Sequence, residues 1–375
     1  MINTLIAFGT RPEAIKMAPL VLELKARPEF CCTVCVTAQH RQMLDQALDA
    51  FGITPDIDLD VMRPRQSLTD VTAAALRGME DVIAERRPDI VLVHGDTATT
   101  FACALAAYYR RTDVGHVEAG LRTLNKYSPF PEEMYRQMTD RLADMLFAPT
   151  ELSRLNLLRE GRESGDIFVT GNTAVDALRF TVREDYSHPA LDGHAGHRLL
   201  LLTAHRRENL GDPMYRIFGA IKRIVNEFRD VRVIYPVHLN PSVREIADGV
   251  FGSDSDRISL IEPLDVCDFH NFISRAYMIL TDSGGIQEEA PSLGKPVLVV
   301  RDTTERPEGV EAGTLKLVGT DEDAIYRETK LLLEDRAAYE KMSHASNPYG
   351  DGFASKRIAD SIIARYGSGV KSGLV

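Results

Sequence analysis

The segment Thr281-Asp282-Ser283-Gly284-Gly285-Ile286-Gln287-Glu288-Glu289 follows a short apolar run and sets two adjacent glycines at a turn. Paired glycines let backbone N–H groups approach a ligand closely. Ser283 stands where an N-cap belongs, so the spacing predicts a helix start able to seat a phosphate on Ser283, Gly284 and Gly285. Glu289, one turn on, is spaced to accept bonds from two adjacent hydroxyls such as a ribose presents. Arg301 and Arg306, after the next apolar run, are candidate cations for phosphates. The structural alternatives are a plain helix start and solvated surface arginines.

A second set carries carboxylates. Asp96 follows the apolar run Ile90–His94, Glu118 follows Val114–Val117, and Glu132 with Glu133 follows Pro131. Each has a structural explanation. Asp96 can cap the helix beginning at Thr97, Glu118 can be a surface turn residue, and Glu132 can be a first-turn acid that suits the helix dipole. Acids at neighbouring strand ends, set against cation-rich segments, point jointly to acid–base chemistry. Those segments hold Arg11 and Lys16 after the first strand, and His205, Arg206 and Arg207 after Leu199–Thr203; His238 follows Val231–Tyr235. Asp96, Glu118 and His205 lack compact ligand spacing, so no metal is expected. No G-x-G-x-x-G follows a strand candidate and no G-x-x-x-x-G-K-[ST] occurs, which disfavours bound NAD or a P-loop nucleotide.

Short β-branched runs alternating with helical spacing must position these groups. The strand candidates are Thr4–Phe8, Thr33–Thr37, Ile90–His94, Val114–Val117, Leu146–Ala148 and Ile167–Thr170, then Leu199–Thr203, Val231–Tyr235, Ile258–Ile261, Met278–Thr281 and Val297–Val300. Helical spacing runs through Ala14–Ala26, Gln42–Phe51, Leu68–Glu85 and Glu132–Asp144 in the first half, and through Lys356–Tyr366 near the end. Strand–helix alternation predicts an α/β fold with parallel sheets buried on both faces. The polar, Gly- and His-containing stretch Asp185–Arg198 interrupts the alternation and predicts irregular chain near a junction. Two Rossmann-like domains with parallel sheets facing a central cleft follow: 1–171 carrying the acid–base residues, 172–354 carrying the phosphate seat, and a terminal helix within 355–375 joining the first. Open parallel sheets bind ligands beyond the carboxyl ends of their strands, where every candidate above falls.

Composition agrees with this reading. The chain has 375 residues, 44% hydrophobic and 26% charged, enough for two ordinary globular domains. Forty-four Lys and Arg against fifty-five Asp and Glu give a net charge of −11, which argues against general nucleic-acid binding. No apolar stretch is long enough to span a membrane, and the N-terminal residues lack a signal-peptide pattern, so a soluble cytoplasmic protein is expected. Five cysteines without a second paired cluster predict free thiols, with Cys31, Cys32 and Cys35 buried around a strand.

Taken as a set, the motifs resemble a known family. FGTRPEAIKMAPL (8–20), TAQHRQMLDQ (37–46), VHGDTATT (93–100), GHVEAGLRT (115–123), YSPFPEEMYRQ (127–137), TGNTAVDAL (170–178), TAHRREN (203–209), YPVHLNP (235–241) and TDSGGIQEEAPSLGKPVLVVRDTTERPEGVEAGT (281–314) are similar to non-hydrolysing UDP-N-acetylglucosamine 2-epimerases. The resemblance implies the two-Rossmann architecture shared with GT-B glycosyltransferases. It also implies C2 epimerisation of UDP-N-acetylglucosamine to UDP-N-acetylmannosamine without a cofactor, through elimination of UDP. It assigns Asp96, Glu118, Glu132 and His205 to catalysis, and Arg11, Lys16, Arg136, Phe269, Ser283, Gly284, Gly285, Glu289 and Arg306 to substrate. For Phe269, plain helix-face packing remains an alternative. The resemblance further implies a second, regulatory UDP-N-acetylglucosamine at Gln39, Gln42, Arg65, Glu132, Arg206 and His238, a homodimer, and a product used in cell-surface polysaccharide synthesis.

Overall fold

Apolar runs separated by amphipathic stretches fold into two wholly parallel sheets, each covered by helices on both faces. The computed structural model describes residues 1–38, 41–63, 65–194, 196–252 and 256–367, and of Arg41, Gln42 and Arg207 only the backbone. Gln39 therefore lies outside the described residues, as does the Gln42 side chain.

The first sheet contains β1 (Ile2–Phe8), β2 (Phe30–Val36), β3 (Ile57–Asp58), β4 (Ile90–His94), β5 (Asp113–Val117), β6 (Met145–Ala148) and β7 (Ile167–Val169), in the order β3-β2-β1-β4-β5-β6-β7. Along β1, Ile6 and Phe8 enter one core while Leu5 and Ala7 enter the other. Burial on both faces is why the strand reads as an unbroken apolar run rather than an alternation. The second sheet contains β8 (Arg198–Thr203), β9 (Val231–Pro236), β10 (Ile258–Ile261), β11 (Met278–Thr281), β12 (Val297–Val299) and β13 (Leu315–Leu317), in the order β10-β9-β8-β11-β12-β13. Here Leu200 and Leu202 serve one core, Leu199 and Leu201 the other. Each fully buried Leu or Ile side chain contributes about 1.5–3 kcal/mol before entropic costs.

The chain divides into one unit of Met1–Phe180 and the residues from Tyr349 onward, and a second of Thr181–Pro348. The first boundary falls at 180 rather than 171, because helix Thr173–Thr181 buries Ala177 in the first unit's core. The return falls at 349 rather than 355, where Tyr349 O accepts the Asn172 N–H at 2.7 Å. Helix Ala354–Gly367 then buries Ile358, Ala359 and Ile362 against the first unit. Two edge strands, β3 and β13, have no counterpart among the expected strands. They are two and three residues long, too short to show a periodicity. The stretch expected to be irregular contains a 3₁₀ turn, Pro189–His194, and its last residue, Arg198, already opens β8. All five cysteines are free, but of the three expected to be buried Cys31 is exposed and Cys32 half-buried, and only Cys35 is fully buried.

Candidate active site

Each sheet has one switch point, where the strand order reverses: between β1 and β4 in the first unit, between β8 and β11 in the second. The segments leaving these strands carry Arg11, Lys16, Asp96, His205, Arg206 and the candidates within residues 283–289.

In the first unit, β1 runs through Gly9 into helix Arg11–Lys25. A Cβ on Gly9 would stand 2.0 Å from Thr37 Oγ1 and 2.6 Å from Thr99 Oγ1, so only glycine fits there. Thr10 and Glu13 form a capping box. Glu13 is buried and accepts the N–H of Gly9 at 3.0 Å and of Thr10 at 2.7 Å, as well as the hydroxyls of Thr97 at 2.7 Å and Thr100 at 3.0 Å. It thereby stitches the loop after β1 to the loop after β4, and burial raises its pKa above the usual carboxylate range.

Lys16, one turn into that helix, pairs with Glu118 after β5. Glu118 holds φ +67, a left-handed conformation rare for a non-glycine residue, and such strain concentrates at functional sites. Asn172 Nδ2 donates to the same Glu118 oxygen at 2.9 Å, and His94 Nε2 lies 3.7 Å from it. Both His94 ring nitrogens are buried without a hydrogen-bond partner, and burial pushes its pKa down to about 3. Asp96 does not cap the following helix; Thr97 does, accepting the Thr100 N–H, so the structural explanation for Asp96 falls away. Its carboxylate pairs instead with Arg136. Glu132 opens helix Glu132–Leu142 four residues before Arg136 and so shares its face. Glu133 differs: fully buried, it accepts the N–H groups of Thr123 and Leu124 and braces that loop. Beneath the Asp96 turn, His116 bonds Gly95 O at 2.7 Å and Asp140 at 2.6 Å.

In the second unit, the Gly-Gly turn departs from the expected cap. Helix Ile286–Ser292 has Gly285 at its N-cap without a side-chain bond, and the Ser283 N–H donates to Thr281 Oγ1. The helix spans only seven residues, so its dipole is small. Among the described residues, the N–H groups of Gly284, Gly285 and Ile286 are nevertheless left without a hydrogen bond. The Arg306 guanidinium lies beside Gly284: a Cβ there would be 3.7 Å from its Cζ. Buried Glu288 holds that guanidinium through Nε. Arg301 is instead committed to Glu305 and Glu208. Glu289 folds back over Gly285, and its other oxygen is 3.6 Å from Nε2 of buried His270. Phe269, next to His270, is half-buried on helix Val266–Arg275 at the rim of a core.

His205 and Arg206 leave β8, and the His205 ring stacks on His238 at 5.4 Å and 11°. Burial lowers the His205 pKa below the usual histidine range. Arg65 is exposed at φ +61 in the segment after β3. Among the described residues no group of three or more His, Cys, Asp or Glu side chains could hold a metal, and no helix is long and apolar enough to cross a membrane.

The family model described as UDP-N-acetylglucosamine 2-epimerase matches residues 22–363. The chain belongs to the UDP-N-acetylglucosamine 2-epimerase family. A Bacillus subtilis (strain 168) protein of that name is 64% identical over 366 residues, covering 98% of this chain and 96% of the relative. A Listeria monocytogenes crystal structure, described as a putative UDP-N-acetylglucosamine 2-epimerase, superposes with a TM-score of 0.94 at 55% identity, covering 98% of this chain and 97% of that one. The Neisseria meningitidis epimerase, solved bound to UDP-GlcNAc, gives 0.87 at 47% identity, covering 97% and 100%. The epimerase family's fold accounts for the paired switch points. Sequence reasoning passed over Glu13, His94, Asn172, His270 and Asp282. All but His270 lie inside the motifs that carry the family resemblance, Glu13 in FGTRPEAIKMAPL, His94 in VHGDTATT, Asn172 in TGNTAVDAL and Asp282 at the head of the Gly-Gly segment, yet none was given a role there.

Proposed function

We propose that this chain interconverts UDP-N-acetylglucosamine and UDP-N-acetylmannosamine by anti elimination and re-addition of UDP. The observation that carries the reading is the unpaired N–H triplet of Gly284, Gly285 and Ile286, with Arg306 beside Gly284, in a member of the epimerase family. An anion seat of this kind suits a departing diphosphate, with Ser283 in the same turn, Glu289 on the ribose and Phe269 beside the uracil. The C2 hydrogen is not adjacent to a carbonyl, so its removal needs a concerted departure. A base takes the proton, the new C1–C2 double bond forms, and the C1–O electrons leave with UDP as a 2-acetamidoglucal is produced. Re-addition of a UDP oxygen to C1, with protonation of the other face of C2, completes the inversion. Asp96, Glu118 and Glu132 supply the acid and base, His205 assists at the diphosphate or in proton transfer, and Arg11, Lys16 and Arg136 supply cations. No redox cofactor enters this balance.

The reading extends to a second UDP-N-acetylglucosamine at Gln39, Gln42, Arg65, Glu132, Arg206 and His238 as an activator, to a cytoplasmic homodimer, and to a product consumed in cell-surface polysaccharide synthesis. The test is turnover of UDP-N-acetylglucosamine in D2O. Both epimers should acquire deuterium at C2 while phosphorus NMR shows an intact sugar diphosphate. Unlabelled products would rule out proton exchange, and accumulation of free UDP with N-acetylmannosamine would mark a hydrolysing enzyme instead.

A further inference from the structure

Asp282 follows β11 directly before the Gly-Gly turn, and its side chain is fully buried. One oxygen, Oδ2, accepts three hydrogen bonds: from the backbone N–H groups of His205 and Arg206, each at 2.8 Å, and from Asn209 Nδ2 at 3.0 Å. The other, Oδ1, has no hydrogen-bond partner and stands 3.5 Å from Nδ1 of His205. A buried carboxylate oxygen left without a donor is costly, and such exceptions call for a reason. The imidazole is meanwhile held flat against His238. The charged and titratable groups bearing on the ring are Asp282 from the end of β11, His238 from the segment after β9, and Arg206 from its own segment.

We propose that Asp282 is the positioning residue of His205. Oδ1 receives the Nδ1 proton's hydrogen bond, which fixes the Nδ1–H tautomer and turns the Nε2 lone pair toward the ligand, while Oδ2 fixes the backbone that carries the ring. The proposal deepens the epimerase reading and rests on it for what His205 does there. A carboxylate that sets the tautomer of a working imidazole is a recurrent device, because which nitrogen carries the proton decides what the other can do. At 3.5 Å the contact is longer than a formed hydrogen bond. Active-site bonds in ligand-free enzymes commonly tighten on binding, and Asp282 leads directly into the turn that would grip UDP. The bond therefore shortens when UDP is seated.

The test is ¹⁵N NMR of histidine-labelled protein with and without UDP, the His205 signals being assigned by their loss in His205→Gln. Wild-type His205 is expected to carry its proton on Nδ1. In Asp282→Asn the amide donates toward Nδ1, so the proton moves to Nε2. The kcat for epimerisation should then fall roughly 10–100-fold while UDP affinity changes less than about threefold, as for other outer-shell partners of a working histidine. Added to His205→Gln, the Asn substitution should cost nothing further. A proton on Nε2 in the wild type, with UDP and without, overturns the proposal and requires no variant to fold. Unchanged kcat in Asp282→Asn overturns it as well. Full activity in His205→Gln would instead sink the catalytic reading of His205, while the tautomer measurement still decides the Asp282 contact.

Discussion

Asp96 has no structural duty that would explain its type: Thr97 caps the next helix, and the carboxylate is left to Arg136. Asparagine has nearly the same shape and can still accept a bond from Arg136, but it cannot take up a proton. Asp96→Asn should therefore keep the fold and bind UDP within about threefold of wild type by calorimetry, while epimerisation drops by about 10²–10⁴-fold. Full turnover would remove Asp96 from the acid–base group. Arg306 should give the reverse pattern. Arg306→Lys keeps a cation for buried Glu288 but loses the planar fork beside Gly284, so UDP should bind about tenfold more weakly, the size of one charge-assisted bond.

At the scale of elements, Gly9 decides how β1 hands over to helix Arg11–Lys25, which carries Arg11 and Lys16. An added methyl would meet Thr37 Oγ1 at 2.0 Å and displace the Thr37–Thr99 hydroxyl pair, whose oxygens are 2.8 Å apart. Gly9→Ala should destabilise the protein by about 1–3 kcal/mol in urea unfolding and lower kcat, whereas Gly165→Ala, with open space around it, should stay within about 0.5 kcal/mol. What was legible in the sequence follows the same division. β4 and β11 can be read residue for residue because central strands buried on both faces leave continuous apolar runs. β3 and β13 cannot, since a short edge strand is defined by its neighbour rather than by its own residues. The strand-end rule placed Asp96, Glu118, His205 and the Gly-Gly turn. What it could not show is pairing with distant partners: Glu13 across 84 residues to Thr97, Asn172 across 54 to Glu118, Asp282 across 77 to His205. Nothing local in the sequence announces those pairings.

At the scale of the whole molecule, buried titratable groups make stability depend on pH, and His94 is the clearest case. Its neutral ring sits without hydrogen bonds in the first unit, and burial pushes its pKa down to about 3 from an ordinary value near 6.5. The unfolded chain takes up a proton below pH 6.5, whereas the folded one resists until about pH 3. The stability His94 contributes is thus fully present above pH 6.5 and is lost progressively as the pH falls toward 3. Between pH 6.5 and 5 one such group accounts for about 2 kcal/mol. Removing the ring should remove this part of the slope and nothing else from it. His94→Asn, compared with wild type by urea unfolding at pH 5 and pH 7, should therefore lose about 2 kcal/mol less over that interval, even if it starts from a lower stability at pH 7. Parallel losses in the two proteins would mean that His94 is protonated in the folded state, paired with Glu118 at the 3.7 Å contact rather than held neutral beside it.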